Sequence, residues 1–291
     1  MTSLLLSRRD LDFLLYEWLD VPSLTRAERF ADHSRETFDA ALDTCERIAT
    51  DLFAPHNQKA DQNEPHFDGQ TVTLIDEVKP ALQAFADAGL VASGRDYAMG
   101  GMQLPTVVNM AGLSYFYAAN IGTSAYPLLT VGNANLLLAH GNEAQIEAFV
   151  KPELDGRFFG TMCLSEPQAG SDSLASRTRA VLSPDGKNYI LNGQKMWITN
   201  GGFADIYIVF AKIDGEKFSC FIVERGTPGF TAGAEEKKMG IKGSSTTPLF
   251  FENSPVPKEN LLHEPGRGHV VAFNTLNAGR FSLGAYCLGG S

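Results

Sequence analysis

The chain has 291 residues, 44% apolar and 20% charged, with a formal charge of -10. Such a chain buries a large core, suits about two domains at the usual ~100–200 residues each, and is neither disordered nor fibrous. The acidic balance and the lack of a basic stripe argue against a nucleic acid or an anionic membrane as partner.

Residues 10–19 space apolar side chains three to four apart among acids, predicting a helix that Pro22 closes. Residues 36–53 repeat the pattern, with Phe38, Leu42, Ile48 and Leu52 on or near one face and Pro55 as terminator. Residues 57–69 read as polar turns, residues 74–88 as a helix stopped by Gly89, and Gly100-Gly101 as a loop. Residues 105–138 are nearly uncharged, which suits helices buried inside a domain, and residues 142–150 predict a short amphipathic helix before Pro152.

At about Phe158 the period changes. Residues 189–199, 206–212, 218–223 and 248–252 are short β-branched or aromatic runs separated by turns such as Pro184-Asp185-Gly186, predicting an antiparallel β domain, sandwich or barrel. From Gly268 helical spacing returns at Val271, Phe273, Leu276 and Phe281. We expect an α+β protein with a helical part at 1–155, a β part at 156–262 and the first helix of a further helical domain at 263–291. That last helix has few partners in the sequence, so its apolar face implies a missing C-terminal domain.

The longest apolar stretches fall short of the ~18 residues that span a bilayer, and Leu4-Leu5-Leu6 is too short for a signal-peptide core. Cys45, Cys163, Cys220 and Cys287 lack CxxC or finger spacing and are expected as reduced thiols in a cytoplasm; the His residues have no HxxxH spacing, so no metal is expected. Neither a GxSxG elbow nor a GxxxxGK[ST] loop occurs, and Gly266-Arg267-Gly268 lacks the context of a dinucleotide fingerprint. Gly240-Ile241-Lys242-Gly243 reads as a turn whose lysine is able to meet an anionic ligand.

The most informative run is Met162, Cys163, Leu164, Ser165, Glu166, Pro167, Gln168, Ala169, Gly170 and Ser171, completed by Asp172 and followed by Trp197, Ile198 and Thr199. Small and hydroxylated residues let backbone amides approach a bulky polar ligand, while Trp197 and Thr199 offer a flat apolar wall beside a hydrogen-bond donor. A fused aromatic cofactor joined to a pyrophosphate needs both surfaces.

Together with Asn192-Gly193-Gln194-Lys195-Met196 and Met239-Gly240-Ile241-Lys242-Gly243-Ser244-Ser245, these motifs resemble the acyl-CoA dehydrogenase family from about residue 35 to 291. The resemblance implies a helical domain, a middle β domain and a C-terminal helical bundle, with FAD held between the last two. It implies FAD contacts along Met162 to Ser171 and Trp197 to Thr199, with the hydroxyls of Ser165 and Thr199 near the flavin ring, and acyl-CoA contacts at Ser171, Asn277 and Arg280. It also implies conversion of a saturated acyl-CoA, with a mild lean to long chains, into a trans-2-enoyl-CoA. Electrons would then pass to an electron-transfer flavoprotein, and the full-length form would be a homo-oligomer.

The catalytic carboxylate base is expected beyond residue 291, since the alternative place for it in the family holds Gly279 here. We therefore expect this chain to bind flavin poorly and to be inactive as it stands. A non-catalytic acyl-CoA-binding remnant and a flavin-dependent oxidase or monooxygenase of the same fold are the competing expectations. Residues 1–160 hold 3 Lys to 8 Arg and residues 161–291 hold 8 Lys to 5 Arg, a shift that also fits a mosaic of family subgroups.

Overall fold

The computed structural model describes residues 4–291, the side chains of Asn274 and Ala278 excepted. Helix α1 (Arg8–Asp12) continues as a π-helical turn, Phe13–Trp18. Helix α2 (Arg35–Ile48) starts at a capping box between Ser34 and Thr37 and runs into a second π turn, Ala49–Phe53. The wider turn rotates the buried face, so Ala49 and Phe53 occupy it and Leu52, expected there, is 38% exposed.

The stretch expected to be irregular turns holds helix α3 (Asn57–Gln62) and a small antiparallel hairpin of β1 (His66–Phe67) and β2 (Val72–Thr73). Helix α4 (Val78–Asp87) begins later than its apolar spacing suggests. Helices α5 (Thr106–Ala119) and α6 (Ile121–His140) account for the nearly uncharged region, and Asn120 between them caps α6 by accepting from Thr123 N at 3.0 Å. Phe116 sits edge-on to both Phe53 and Phe85 with ring centroids 4.9 Å apart, tying α5 to α4 and the turn after α2. Helix α7 (Glu143–Gln145), a π turn and helix α8 (Lys151–Leu154) run on past Pro152, which stands where the wide π turn gives way to α8.

The remaining strands are β3 (Gly160–Cys163), β4 (Arg179–Leu182), β5 (Asn188–Thr199), β6 (Ile206–Ile213), β7 (Lys217–Glu224), β8 (Phe230–Ala232), β9 (Thr246–Pro257) and β10 (Leu261–Leu262). They form one sheet in the order β10-β7-β6-β4-β5-β9-β8, with β3 also on β6. The runs expected as antiparallel strands pair so, β5 with β9 and β6 with β7, and two short strands are added: β3 and β4 both run parallel to β6. Period-2 alternation carries no sign of direction, and both short strands are reached through long connections, as parallel pairing requires.

Strand β7 covers one edge of β6 along its whole length, leaving the other edge to β3 at Ile206–Val209 and to β4 at Lys212 and Ile213. The two short strands thus lie end to end on one edge, and residues 164–178 loop out between them. Strand β6 is buried on both faces, which is why it reads as an unbroken apolar run. Ile206, Ile208 and Phe210 enter the core shared with the helices, while Tyr207, Val209 and Ala211 enter a second core within the β part.

Tyr126 on α6 stitches the two parts together: its hydroxyl donates to Gly243 O at 3.1 Å and accepts from Ser245 N at 2.9 Å. Tyr126→Phe would leave a buried carbonyl and a buried N–H without partners, so a urea titration should show a loss of about 1–3 kcal/mol. A loss below a few tenths would mean that the loop before β9 is not held from α6.

Helix α9 (Gly268–Gly289) is not the poorly partnered element the sequence suggests, because one face packs on α5, α6 and β7. Val271 and Ala272 are buried, and Tyr286 meets Tyr117 edge-on at 3.9 Å between centroids. Its other side exposes Phe273, Phe281, Leu283 and Leu288. Among the described residues no helix is long and apolar enough to cross a membrane.

Candidate functional site

The loop after β3 is built around Glu166. Its backbone exchanges two hydrogen bonds with Ala169, Glu166 N to Ala169 O at 2.9 Å and Ala169 N to Glu166 O at 3.0 Å, closing a tight turn that puts Pro167 and Gln168 outside. Its side chain goes inward and accepts from Lys195 Nζ at 2.7 Å, Arg177 N at 2.6 Å, Thr178 N at 3.1 Å and Gln168 Nε2 at 2.7 Å. Burial alone would push this carboxyl up, but the Lys195 ammonium and the backbone N–H donors hold it well below the usual carboxylate range. Lys195 donates a further bond to Leu164 O at 3.3 Å, so one buried cation anchors both the start and the acid of the loop.

Strand β5 lies alongside. Met196 N donates to Ser165 O at 3.0 Å, and the pairing of β5 with β9 breaks between Lys195 and Ile198. In that bulge Trp197 takes φ +59, left-handed backbone that a bulky residue rarely adopts, and its side chain is 51% exposed. Thr199 returns to the ladder opposite Thr246; its carbonyl accepts from Thr161 Oγ1 at 2.7 Å and its hydroxyl lies 3.2 Å from Thr246 Oγ1. Ser165, Trp197 and Thr199 are thereby brought onto neighbouring segments by the bulge and the loop.

Among the other residues singled out in the sequence, Met162 and Leu164 are half-buried against the main core, and Gly170 and Ser171 are exposed. Cys163 and Ile198 are buried as whole residues in the β core, so neither offers a surface to a ligand; burial pushes the Cys163 thiol up. Asn277 and Arg280 lie on α9, exposed, with Arg280 Nη1 donating to Asn277 Oδ1 at 3.0 Å. Gly279 beside them has nothing within 4 Å of an added Cβ.

Sequence reasoning missed Lys195, Thr246 and Lys238. The last donates to Ser244 O, to Ser244 Oγ at 2.7 Å and to Thr246 Oγ1 at 3.0 Å. A lysine in mid-strand opposite an inward acid was the available signal for Lys195. Lys238 stood in a mixed-charge run that reads as solvated surface.

The donor set at this place is two threonine hydroxyls, the Ser165 hydroxyl and the backbone of an open loop, beside an exposed indole. One cation, Lys238, reaches the Thr246 hydroxyl of this set, and among the described residues no cluster of His, Cys, Asp and Glu would hold a metal. The set fits a flat heteroaromatic ring with a polar edge.

Residues 161–254 match the family model for the acyl-CoA dehydrogenase middle domain. A probable acyl-CoA dehydrogenase of Bacillus subtilis (strain 168) is 37% identical over 258 residues, covering 83% of this chain and 42% of that protein. The structure of an acyl-CoA dehydrogenase from Bacillus anthracis, complexed with FAD, superposes with a TM-score of 0.80 at 38% identity, over 89% of this chain and 42% of that one.

This chain belongs to the acyl-CoA dehydrogenase family.

The butyryl-CoA dehydrogenase of Megasphaera elsdenii shares the same arrangement, with a TM-score of 0.78 at 33% identity over 88% of this chain and 66% of its own. The chain thus spans less than half the length of the Bacillus relatives. Within the acyl-CoA dehydrogenase matches, the middle-domain segment begins inside β3 and ends inside β9, so it contains the whole of the Glu166 loop and the β5 bulge.

Proposed function

We propose that this chain builds the flavin-facing wall of an FAD-dependent acyl-CoA dehydrogenase that forms trans-2-enoyl-CoA from a saturated acyl-CoA and passes electrons to an electron-transfer flavoprotein. The observation that carries the reading is the β5 bulge, which exposes Trp197 two residues before Thr199, whose hydroxyl lies 3.2 Å from that of Thr246. FAD, when bound, would supply the hydride acceptor. Trp197 would cover one side of the ring and exclude water, Thr199 and Ser165 would donate to its polar edge, and the exposed backbone at Gly170 and Ser171 would approach the pyrophosphate. Ser171, with Asn277 and Arg280, would meet the CoA moiety, for which the Arg280 guanidinium supplies charge.

An apolar groove of about 500 Å³ between α6 and α9, lined by Ile121, Ala125, Leu128, Ile241 and Leu283, suits the acyl chain. The acids nearest the flavin wall are already committed. Glu166 is tied to Lys195, and Glu235 accepts from Ser245 Oγ at 2.6 Å and Thr246 N at 2.8 Å. Neither is free to take the α-proton, and we assign the base to another group.

The test is to add FAD to the purified chain and follow quenching of flavin fluorescence. Binding should be weak but saturable, and Trp197→Ala should weaken it about tenfold further, the scale of a lost aromatic stacking contact of about 0.5–1.5 kcal/mol plus its buried area. A chain that ignores FAD while binding acyl-CoA would replace this reading with the non-catalytic acyl-CoA-binding one. Rapid reaction of the reduced, loaded protein with oxygen would point to the oxidase branch.

A further inference from the structure

Lys238 stands between β8 and β9 and aims its ammonium at the back of the Thr199–Thr246 pair. A lysine ammonium has only donors, so a hydroxyl it reaches accepts from it and keeps its own proton for another acceptor. The arrangement at Ser244 shows this: Ser244 Oγ accepts from Lys238 Nζ at 2.7 Å and donates its own proton to Ile241 O at 3.1 Å. Thr246 Oγ1 accepts from the same nitrogen at 3.0 Å, and among the described residues the acceptor within reach of its proton is Thr199 Oγ1 at 3.2 Å. With Thr246 donating to Thr199 Oγ1, the Thr199 O–H is left for an acceptor other than Thr246. Thr246 is buried and held from its backbone by Glu235, so the relay does not turn over by rotation of a loose side chain.

We propose that Lys238 is a positioning residue which, through Thr246, fixes the Thr199 hydroxyl as a cation-polarised hydrogen-bond donor and so favours the reduced, electron-rich form of the flavin over the oxidised form. The inference rests on the FAD-site reading and adds the redox bias to it. Hydrogen bonds in a chain polarise one another, and those that begin at an ionised donor are about twice as strong as neutral ones. Reduction adds electron density to the ring, so a polarised donor at its edge gains more in the reduced state than in the oxidised one. Burial brings the Lys238 ammonium below its ordinary value, and the charges of Glu235 and Glu64 oppose that shift.

The experiment compares the unaltered chain with Lys238→Met, Lys238→Arg and Thr246→Val, each loaded with FAD, and measures the two-electron midpoint potential together with the affinity for oxidised FAD. Lys238→Met and Thr246→Val should each lower the ratio of reduced to oxidised affinity about tenfold, equivalent to about 30 mV for a two-electron couple. Lys238→Arg, which keeps a charged donor, should retain most of the ratio. Thr246→Val leaves the Lys238–Ser244 bonds in place, so it decides the matter if Lys238→Met does not fold. Equal weakening of both flavin states, with the potential unmoved, would make Lys238 a merely structural residue and overturn the inference while leaving the FAD site standing. An unaltered chain that binds no FAD would overturn the site reading itself.

Discussion

Lys195→Met should destabilise the fold by about 3–5 kcal/mol at neutral pH, the usual loss when one member of a buried ion pair is removed. The side chains of Lys195 and Glu166 are 0% and 2% exposed, so no water replaces the lost ammonium. The Glu166 carboxylate would keep its N–H donors from Arg177, Thr178 and Gln168 but lose its counter-charge. The sign of the pH dependence follows. In the unaltered chain the Glu166 carboxyl is depressed below its ordinary value of 4.5, so its contribution is present above that pH and is lost as pH falls through the folded value. Without Lys195, burial pushes the same carboxyl up, and protonation relieves the buried charge. The gap between mutant and parent should therefore narrow between pH 7 and pH 5 in urea titrations, and Glu166→Gln added to Lys195→Met should recover much of the loss. A gap equal at both pH values would mean that the damage is a packing defect rather than an uncompensated charge.

Glu153→Gln should have the opposite sign, stabilising the chain by up to about 4 kcal/mol at pH 7.5. Glu153, on α8, is fully buried; neither carboxyl oxygen has a partner among the described residues, and the same is true of Asn133 Oδ1. The two side chains meet at Gly160, where an added Cβ would fall 2.0 Å from Glu153 Oε1 and 2.6 Å from the Asn133 carboxamide. Burial, and then the negative charge of Asp205, push the Glu153 carboxyl well above its ordinary value of 4.5. A carboxyl raised on folding contributes its full stability below its unfolded value and loses it as pH rises toward the folded value, by about 1.4 kcal/mol per pH unit. The parent should thus weaken from about pH 5 to neutrality while Glu153→Gln stays flat, the two curves meeting near pH 4.5. Parallel curves would show that Glu153 is ionised in the folded chain.

Much of the fold was legible because its elements are long and their periods clean. The uncharged run that became α5 and α6 and the double-faced apolar run of β6 needed no tertiary information. Strands β3 and β4 were not legible: four residues each, they owe their place to the free edge of β6 rather than to their own pattern. Leu52 misled because a π turn shifts the phase of a helix without any local sequence mark. At the site, small residues and hydroxyls marked the Glu166 loop. What remained hidden was the support behind it, because Lys195 and Lys238 are lysines, a residue type that is far more often surface than anchor.

The end-to-end placement of β3 and β4 has a mechanical meaning. The loop with Glu166 is a span whose two abutments stand on the same beam, β6. When the sheet twists or breathes, both abutments move together, and the opening between them keeps its width. Lengthening the span costs little, since each doubling of a flexible loop adds only about 0.6 kcal/mol of closure entropy. The fold is therefore tolerant of changes at the loop tip, around Pro167 and Gln168, while remaining strict about the residues that rest on the beam.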